Sequence, residues 1–298
     1  MVLAALLFSA MGACIKFAAG SFSAAEIIFY RGLISMVFMW AFARATGVTL
    51  ATRYPRMHAW RSFVGVISLA AWFYAIAGLP LATAISLNYM SSVWIALFMI
   101  AGSVMAWQPK DDAGTMPLNG SLIMTVLAGF AGVVLLLRPS IRHDQLVPGM
   151  AGVLSGITAA LAYMQVVALS RLREPETRTV FYFAVGGLAA GLAVVPFTGF
   201  SPWSWAAATW LLPIGVLASL GQLCMTRAYS RAGTEGGTLL VANLQYSGIL
   251  FSAFFGWLLF DDRISLLGWT GVALIVASGI AATVIRSRAV PDAPGEEH

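Results

Sequence analysis

Asn88-Tyr89-Met90-Ser91-Ser92 returns as Asn243-Leu244-Gln245-Tyr246-Ser247, so that Asn88 is matched by Asn243 and Ser92 by Ser247 at one offset of 155 residues. Working outward, Phe29-Tyr30 is matched by Phe181-Tyr182 at an offset of 152, and Ala75 by Ala228 at 153. Small loop insertions absorb the drift. Two shared residues in five arise by chance in apolar, serine-rich sequence. Three matches in the same chain order instead describe two halves on one plan, residues 1–142 and 143–298.

The composition says what solvent these halves face. Hydrophobic residues make up 60% of the chain and charged residues 10%, and the mean hydropathy is +0.85, far from the balance of a soluble domain. A helix needs about 20 apolar residues to cross a bilayer core. The sequence predicts ten such spans, near 2–20, 24–43, 61–79, 82–105, 118–137, 149–170, 179–198, 204–226, 236–260 and 265–285. The runs are continuous rather than alternating, which excludes a β-barrel, and breakers such as Pro80, Pro148, Pro175 and Gly233 fall at the joints. Five crossings deliver the next repeat upside down. The expected fold is therefore an all-α polytopic membrane protein whose ten transmembrane helices form two inverted five-helix repeats around a central cavity. Inverted repeats mark alternating-access transporters, with the substrate site near the bilayer midplane.

Charge sets the orientation. With a cytoplasmic N-terminus, 12 of the 17 basic residues, Arg44, Arg61, Arg171 and Arg178 among them, fall in inner loops or the tail, and 3 fall outside. That split places both termini in the cytoplasm. The net charge of +5 follows from these loops and is no nucleic-acid signature, because no aromatic platform is interleaved with the basic residues. The first span lacks the basic leader and cleavage site of a signal peptide; its abrupt start at Met1-Val2 is what a chain without a few basic N-terminal residues would show. Cys14 and Cys224 both fall within spans, so neither a disulfide framework nor a metal cluster is implied, and no cofactor is expected.

The polar and aromatic residues inside the spans are the candidates for a site. Asn88, Ser91 and Ser92 share one face of the fourth span, and Asn243, Tyr246 and Ser247 draw the same stripe on the ninth. Such groups face a cavity or bond neighbouring helices, since an unpaired amide in lipid is costly. Trp72 and Tyr74, Tyr89 and Trp94, Tyr163 and Tyr246 lie at similar depths and can wall a pocket. Lys16 and Arg31 are the basic residues within spans; Arg31 is roughly 10 Å deep at 1.5 Å per residue. It either snorkels outward, faces the cavity and attracts a carboxylate, or pairs near Glu26. The expected substrate-binding set is Asn88, Ser92, Asn243, Tyr246, Trp72, Tyr89, Trp94, Tyr163 and Arg31. Glu26 is the one acidic residue within a span and lies near its outer end. A carrier of lipophilic cations, or a proton antiporter built on a midplane carboxylate, would need acid at depth.

An intramembrane enzyme is the rival class. It would need a histidine or metal ligands at depth, whereas His58, His143 and His298 are expected in loops or the tail. Gly152-Val153-Leu154-Ser155-Gly156 is no nucleophile elbow, because its serine falls one place late; like Gly187 to Gly191, it suits close helix packing. Pro213 is expected to kink the eighth span.

The stretch from Leu258 to Gly279, in which an apolar run and Asp261-Asp262-Arg263 lead into a glycine-rich last helix, resembles the signature of the drug/metabolite transporter superfamily. Its EamA-type ten-helix exporters usually carry Gly-Glu-Arg there. Lys16, Arg31 and the five-plus-five plan are similar to that family too, and in character the chain looks most like the bacterial aromatic amino-acid exporters. The resemblance implies a multi-pass protein of the bacterial inner membrane, with a cavity made by helices 1 to 4 and 6 to 9 and with helices 5 (Gly129, Gly132) and 10 (Gly268, Gly271, Gly279) peripheral. The function expected is export of small metabolites, amino acids including aromatic ones, by alternating access. A carrier of the same fold for a nucleotide-derived metabolite or a drug-like compound is the alternative, with a membrane enzyme or scaffold more distant.

Overall fold

The structure, a computed structural model, describes residues 1–106 and 146–261 together with isolated positions between 120 and 132 and between 266 and 281. Among the described residues every regular element is a helix: α1 (Val2–Ala18), α2 (Ala24–Ala45), α3 (Pro55–Gly78), α4 (Leu81–Tyr89), α5 (Ser91–Ala106), α6 (Leu146–Arg171), α7 (Glu176–Thr198), α8 (Trp205–Ala208), α9 (Leu211–Ser230), α10 (Glu235–Leu244) and α11 (Ser247–Phe260). Among these described residues, six stretches are long and apolar enough to cross a bilayer, namely α2, α3, α6, α7, Trp205–Ser230 and Gly236–Phe260. The fifth and tenth predicted spans lie largely outside the described residues, as does the expected peripheral role of their glycines.

Three boundaries correct the sequence reading. First, α3 starts at Pro55 rather than near 61, with proline in the first turn, where its missing N–H costs nothing. His58 and Arg61 are therefore helical and buried rather than in a loop. Second, Pro213 goes with an interruption of its span rather than a bend within one helix. It sits in the first turn of α9, and the chain breaks just before it, at Thr209 and Trp210, between α8 and α9. Third, the fourth and ninth spans are interrupted. The breaks fall at Met90 and at Gln245-Tyr246, so they coincide with the repeated pentapeptide. At both, hydrogen bonding tightens to three-residue spacing, Val93 N to Met90 O at 2.9 Å and Tyr246 N to Asn243 O at 3.0 Å, the short turn that marks a joint within a helix.

The helices of one half pack chiefly on those of the other. α2 lies along α7, α3 along α6, and α1 along α9 and α11. Close approach is bought with small residues. A Cβ on Gly32 would meet the Leu188 backbone, one on Gly191 would stand 2.6 Å from Phe29 Cα, and one on Gly156 would stand 2.6 Å from Leu87 O. Buried serines then bond across these contacts to main-chain carbonyls: Ser9 to Gly248 (2.8 Å), Ser35 to Gly215 (3.0 Å) and Ser68 to Ser155 (2.8 Å). Such bonds satisfy a hydroxyl in a dry interior and help fix the crossing.

α2 and α7 run antiparallel and are tied at both ends. At the start of α2, Ser23 and Glu26 form a capping box. Glu26 also accepts from Ser201 N (2.7 Å) and Ser201 Oγ (2.6 Å), beyond the end of α7. At the other end, Glu174 accepts from Arg178 Nη1 (2.9 Å) and Thr52 Oγ1 (3.2 Å) and lies 3.3 Å from His58 Nε2. Arg178 donates to Thr49 O at 2.8 and 3.0 Å, and the Tyr182 ring stacks on His58 at 4.7 Å.

Candidate functional site

A small cavity, about 50 Å³ and partly open, is lined from both halves of the chain. From the first come Met11 on α1, Arg31 on α2, Arg61, Gly65, Ser68 and Trp72 on α3, and Asn88 and Tyr89 on α4; from the second come Tyr163 on α6, Phe183 on α7 and Gln222 on α9. The α3 residues stand at 61, 65, 68 and 72, a helical stripe that turns one face inward. Five of the nine sequence candidates, Arg31, Trp72, Asn88, Tyr89 and Tyr163, line this space.

The other four do not. Ser92 donates to Ala242 O at 2.5 Å and ties α5 to α10. Asn243 and Tyr246 are buried off the cavity, and Trp94 packs on Phe98. The two polar stripes are therefore used differently: Asn88 reaches the cavity wall, while its counterpart lies within the packing. Tyr74 is half exposed on the outer surface of the bundle, and Lys16 rests over the Phe260 ring at 4.8 Å.

Each wall residue is set by its neighbours. Asn88 Nδ2 donates to Ser155 Oγ (3.1 Å), and Ser155 Oγ donates to Gly152 O (2.7 Å). The segment read as a packing face thus supplies the hydroxyl that orients the amide. Tyr163 stacks on Tyr229 at 5.2 Å and accepts from Gln245 Nε2 at 3.4 Å, which links the wall to the break between α10 and α11.

The electrostatics are dominated by two arginines. Arg31 and Arg61 are each 2% exposed. Their guanidinium carbons lie 5.3 and 4.2 Å from the centre of the same Phe183 ring, within the range of cation–π attraction. Arg61 Nη2 donates weakly to Gln222 Oε1 at 3.4 Å. Among the described residues, Nε and Nη1 of both arginines find no acceptor, nor does Trp72 Nε1. Among the described residues no carboxylate lines the cavity; Glu26, the partner considered for Arg31, is taken up by Ser23 and Ser201. Gly65 makes the arrangement possible, because a Cβ there would collide with Arg61 Nη1 and approach Phe183 Cε2 to 2.8 Å. Arg61, Phe183 and Gln222 were not singled out in the sequence. The inward stripe on α3 was the available signal for Arg61.

A polytopic helical bundle with a polar and aromatic cavity between its halves defines the class, an integral membrane transporter. The chain is 35% identical over 286 residues to a pseudopaline exporter of Pseudomonas aeruginosa, covering 94% of this chain and 93% of that one. It is 30% identical over 291 residues to an uncharacterized transporter of Helicobacter pylori, covering 94% and 92%, and 24% identical to a riboflavin transporter of Rhizobium johnstonii, covering 94% and 88%. The chain belongs to the family of membrane transporters that includes the pseudopaline exporter. A solved crystal structure, 18% identical, covers 97% of the chain and is covered to 96%, with a TM-score of 0.72, and shares its fold. No family model matches the chain.

Proposed function

We propose that the protein is a bacterial inner-membrane exporter that moves a small carboxylate-bearing metabolite out of the cytoplasm by alternating access, with Arg31, Trp72, Asn88, Tyr89 and Tyr163 contacting the cargo. The observation that carries this reading is Arg31: a buried guanidinium with free donors on a cavity to which both halves contribute. A buried cation needs a counter-charge, and a carboxylate matches its planar fork. Relatives named as exporters and transporters, and the likeness of Leu258–Gly279 to the drug/metabolite transporter superfamily, support the same function.

The inverted five-helix plan belongs to this reading. Its supports are the interruptions that fall on the repeated pentapeptide and the way the packing pairs exchange with one another. If α1 corresponds to α6 and α3 to α9, the α3–α6 contact becomes α9–α1, and both are present. Both termini are cytoplasmic in this arrangement. Amino acids, aromatic ones included, fall within the cargo class. Relatives named for pseudopaline and riboflavin favour metabolites of other kinds, carried by the same fold.

Labelled carboxylate-bearing metabolites and amino acids offered to proteoliposomes, with and without an imposed pH gradient, test the proposal. Flux should run down the cargo's own gradient, because no carboxylate stands on the cavity wall among the described residues to carry a coupling proton. Arg31→Ala should lower it roughly tenfold or more, the worth of one charged hydrogen bond. Concentrative transport that follows the proton gradient would overturn the uncoupled mechanism.

A further inference from the structure

We propose that the cavity is a two-anion site whose cargo carries at least two carboxylates, one held by Arg31 and one by Arg61. This rests on the reading of the cavity as the transport site and narrows its substrate class. Arg31 alone would be met by any monocarboxylate, including a zwitterionic amino acid. Arg61 changes the stoichiometry. It is as deeply buried as Arg31, faces the same ring of Phe183, and keeps Nε and Nη1 without an acceptor among the described residues.

Two like charges on one short stretch of wall repel each other, and each has lost water. A single carboxylate bound to one guanidinium leaves the other desolvated and unmatched, which is the costly arrangement for a buried charge. A ligand with two carboxylates, one near each guanidinium, neutralises both. Phe183 then serves as a spacer that attracts both cations through its ring and leaves Nε and Nη1 of each free to meet a ligand. Trp72 Nε1 adds an uncharged donor on the same wall. Gly65 preserves the arrangement by leaving room beneath Arg61 and Phe183.

The test uses purified full-length protein, in nanodiscs for thermal stabilisation and in proteoliposomes for flux, with glutarate, citrate, acetate, phenylalanine and glycerol 3-phosphate as probes. Glutarate or citrate should stabilise the protein and be transported at concentrations at least tenfold below those needed for acetate or phenylalanine. Arg61→Gln should abolish that preference while leaving a residual monocarboxylate response through Arg31, and Arg61→Lys, which keeps the charge and folds as the milder variant, should restore part of it. Phenylalanine flux that matches glutarate flux and ignores Arg61→Gln overturns the two-anion site but leaves the exporter reading standing. A response to glycerol 3-phosphate alone overturns it in favour of a phosphate cargo. Silence from every probe, with folded protein, overturns both readings.

Discussion

Glu174 shows how a single side chain can set the working range of the molecule. Burial pushes its carboxyl up, but hydrogen bonds from Arg178 and His58, the charge of Arg178 and the bond from Thr52 outweigh this and hold it below the usual carboxylate range. A carboxyl whose pKa is depressed on folding stabilises the fold above its unfolded pKa, and that contribution is lost as pH falls through the lowered value. The Glu174 contribution should therefore stay constant from pH 8 to 6 and disappear below about pH 4. Glu174→Gln should remove the charge-assisted part, about 1 to 3 kcal/mol, seen as a lower thermal midpoint at pH 7 that converges on the wild type in acid. A midpoint difference that persists unchanged at low pH would assign the loss to packing instead.

At the scale of the helix, legibility followed hydropathy. Asn88, Tyr89 and Tyr163 could be found because they are polar or aromatic residues well inside strongly apolar runs. Arg61 could not, since Arg53, Arg56 and His58 dilute the apolar character just before it and set the hydropathy boundary at Arg61 itself, where it counts as a loop charge. Pro55 and the inward stripe 61, 65, 68, 72 mark the true start, but they are read from helix periodicity rather than from average apolarity. The interruptions at Met90 and Gln245 were hidden for a different reason: both joints keep helical backbone angles and contain neither glycine nor proline. Ser92 and Asn243 sit on the expected faces, yet a face alone does not tell a cavity from a neighbouring helix. Where α6 meets α4 the contact is backbone on backbone, so Gly156→Ala should force the pair apart at a cost of about 1 to 3 kcal/mol and move Asn88 off Ser155. Gly20→Ala, with open space around it, should change stability by no more than about 0.5 kcal/mol. Thermal unfolding of the two variants side by side checks both expectations.

Across the whole molecule, offsets near 155 and the charge asymmetry are what support the proposed five-plus-five plan, and the orientation it implies is open to direct measurement. A reporter fused to the C-terminus should report a cytoplasmic location, and an extracellular signal would overturn the arrangement. The crossing of α2 and α7 has a consequence for what the membrane barrier tolerates. Where side chains interdigitate, one helix must climb its neighbour's ridges to move; at Gly32 and Gly191 there is little ridge to climb, so this contact would serve as a smooth bearing for sliding. A bearing with no friction of its own needs latches, and the carboxylates of Glu26 and Glu174 stand at its two ends. Neutralising one leaves the other to hold its own end. Neutralising both, as Glu26→Gln with Glu174→Gln, should let small ions slip through proteoliposomes that either single variant keeps tight, so that the safety of an exporter in an energised membrane resides in two carboxylates that need never touch its cargo.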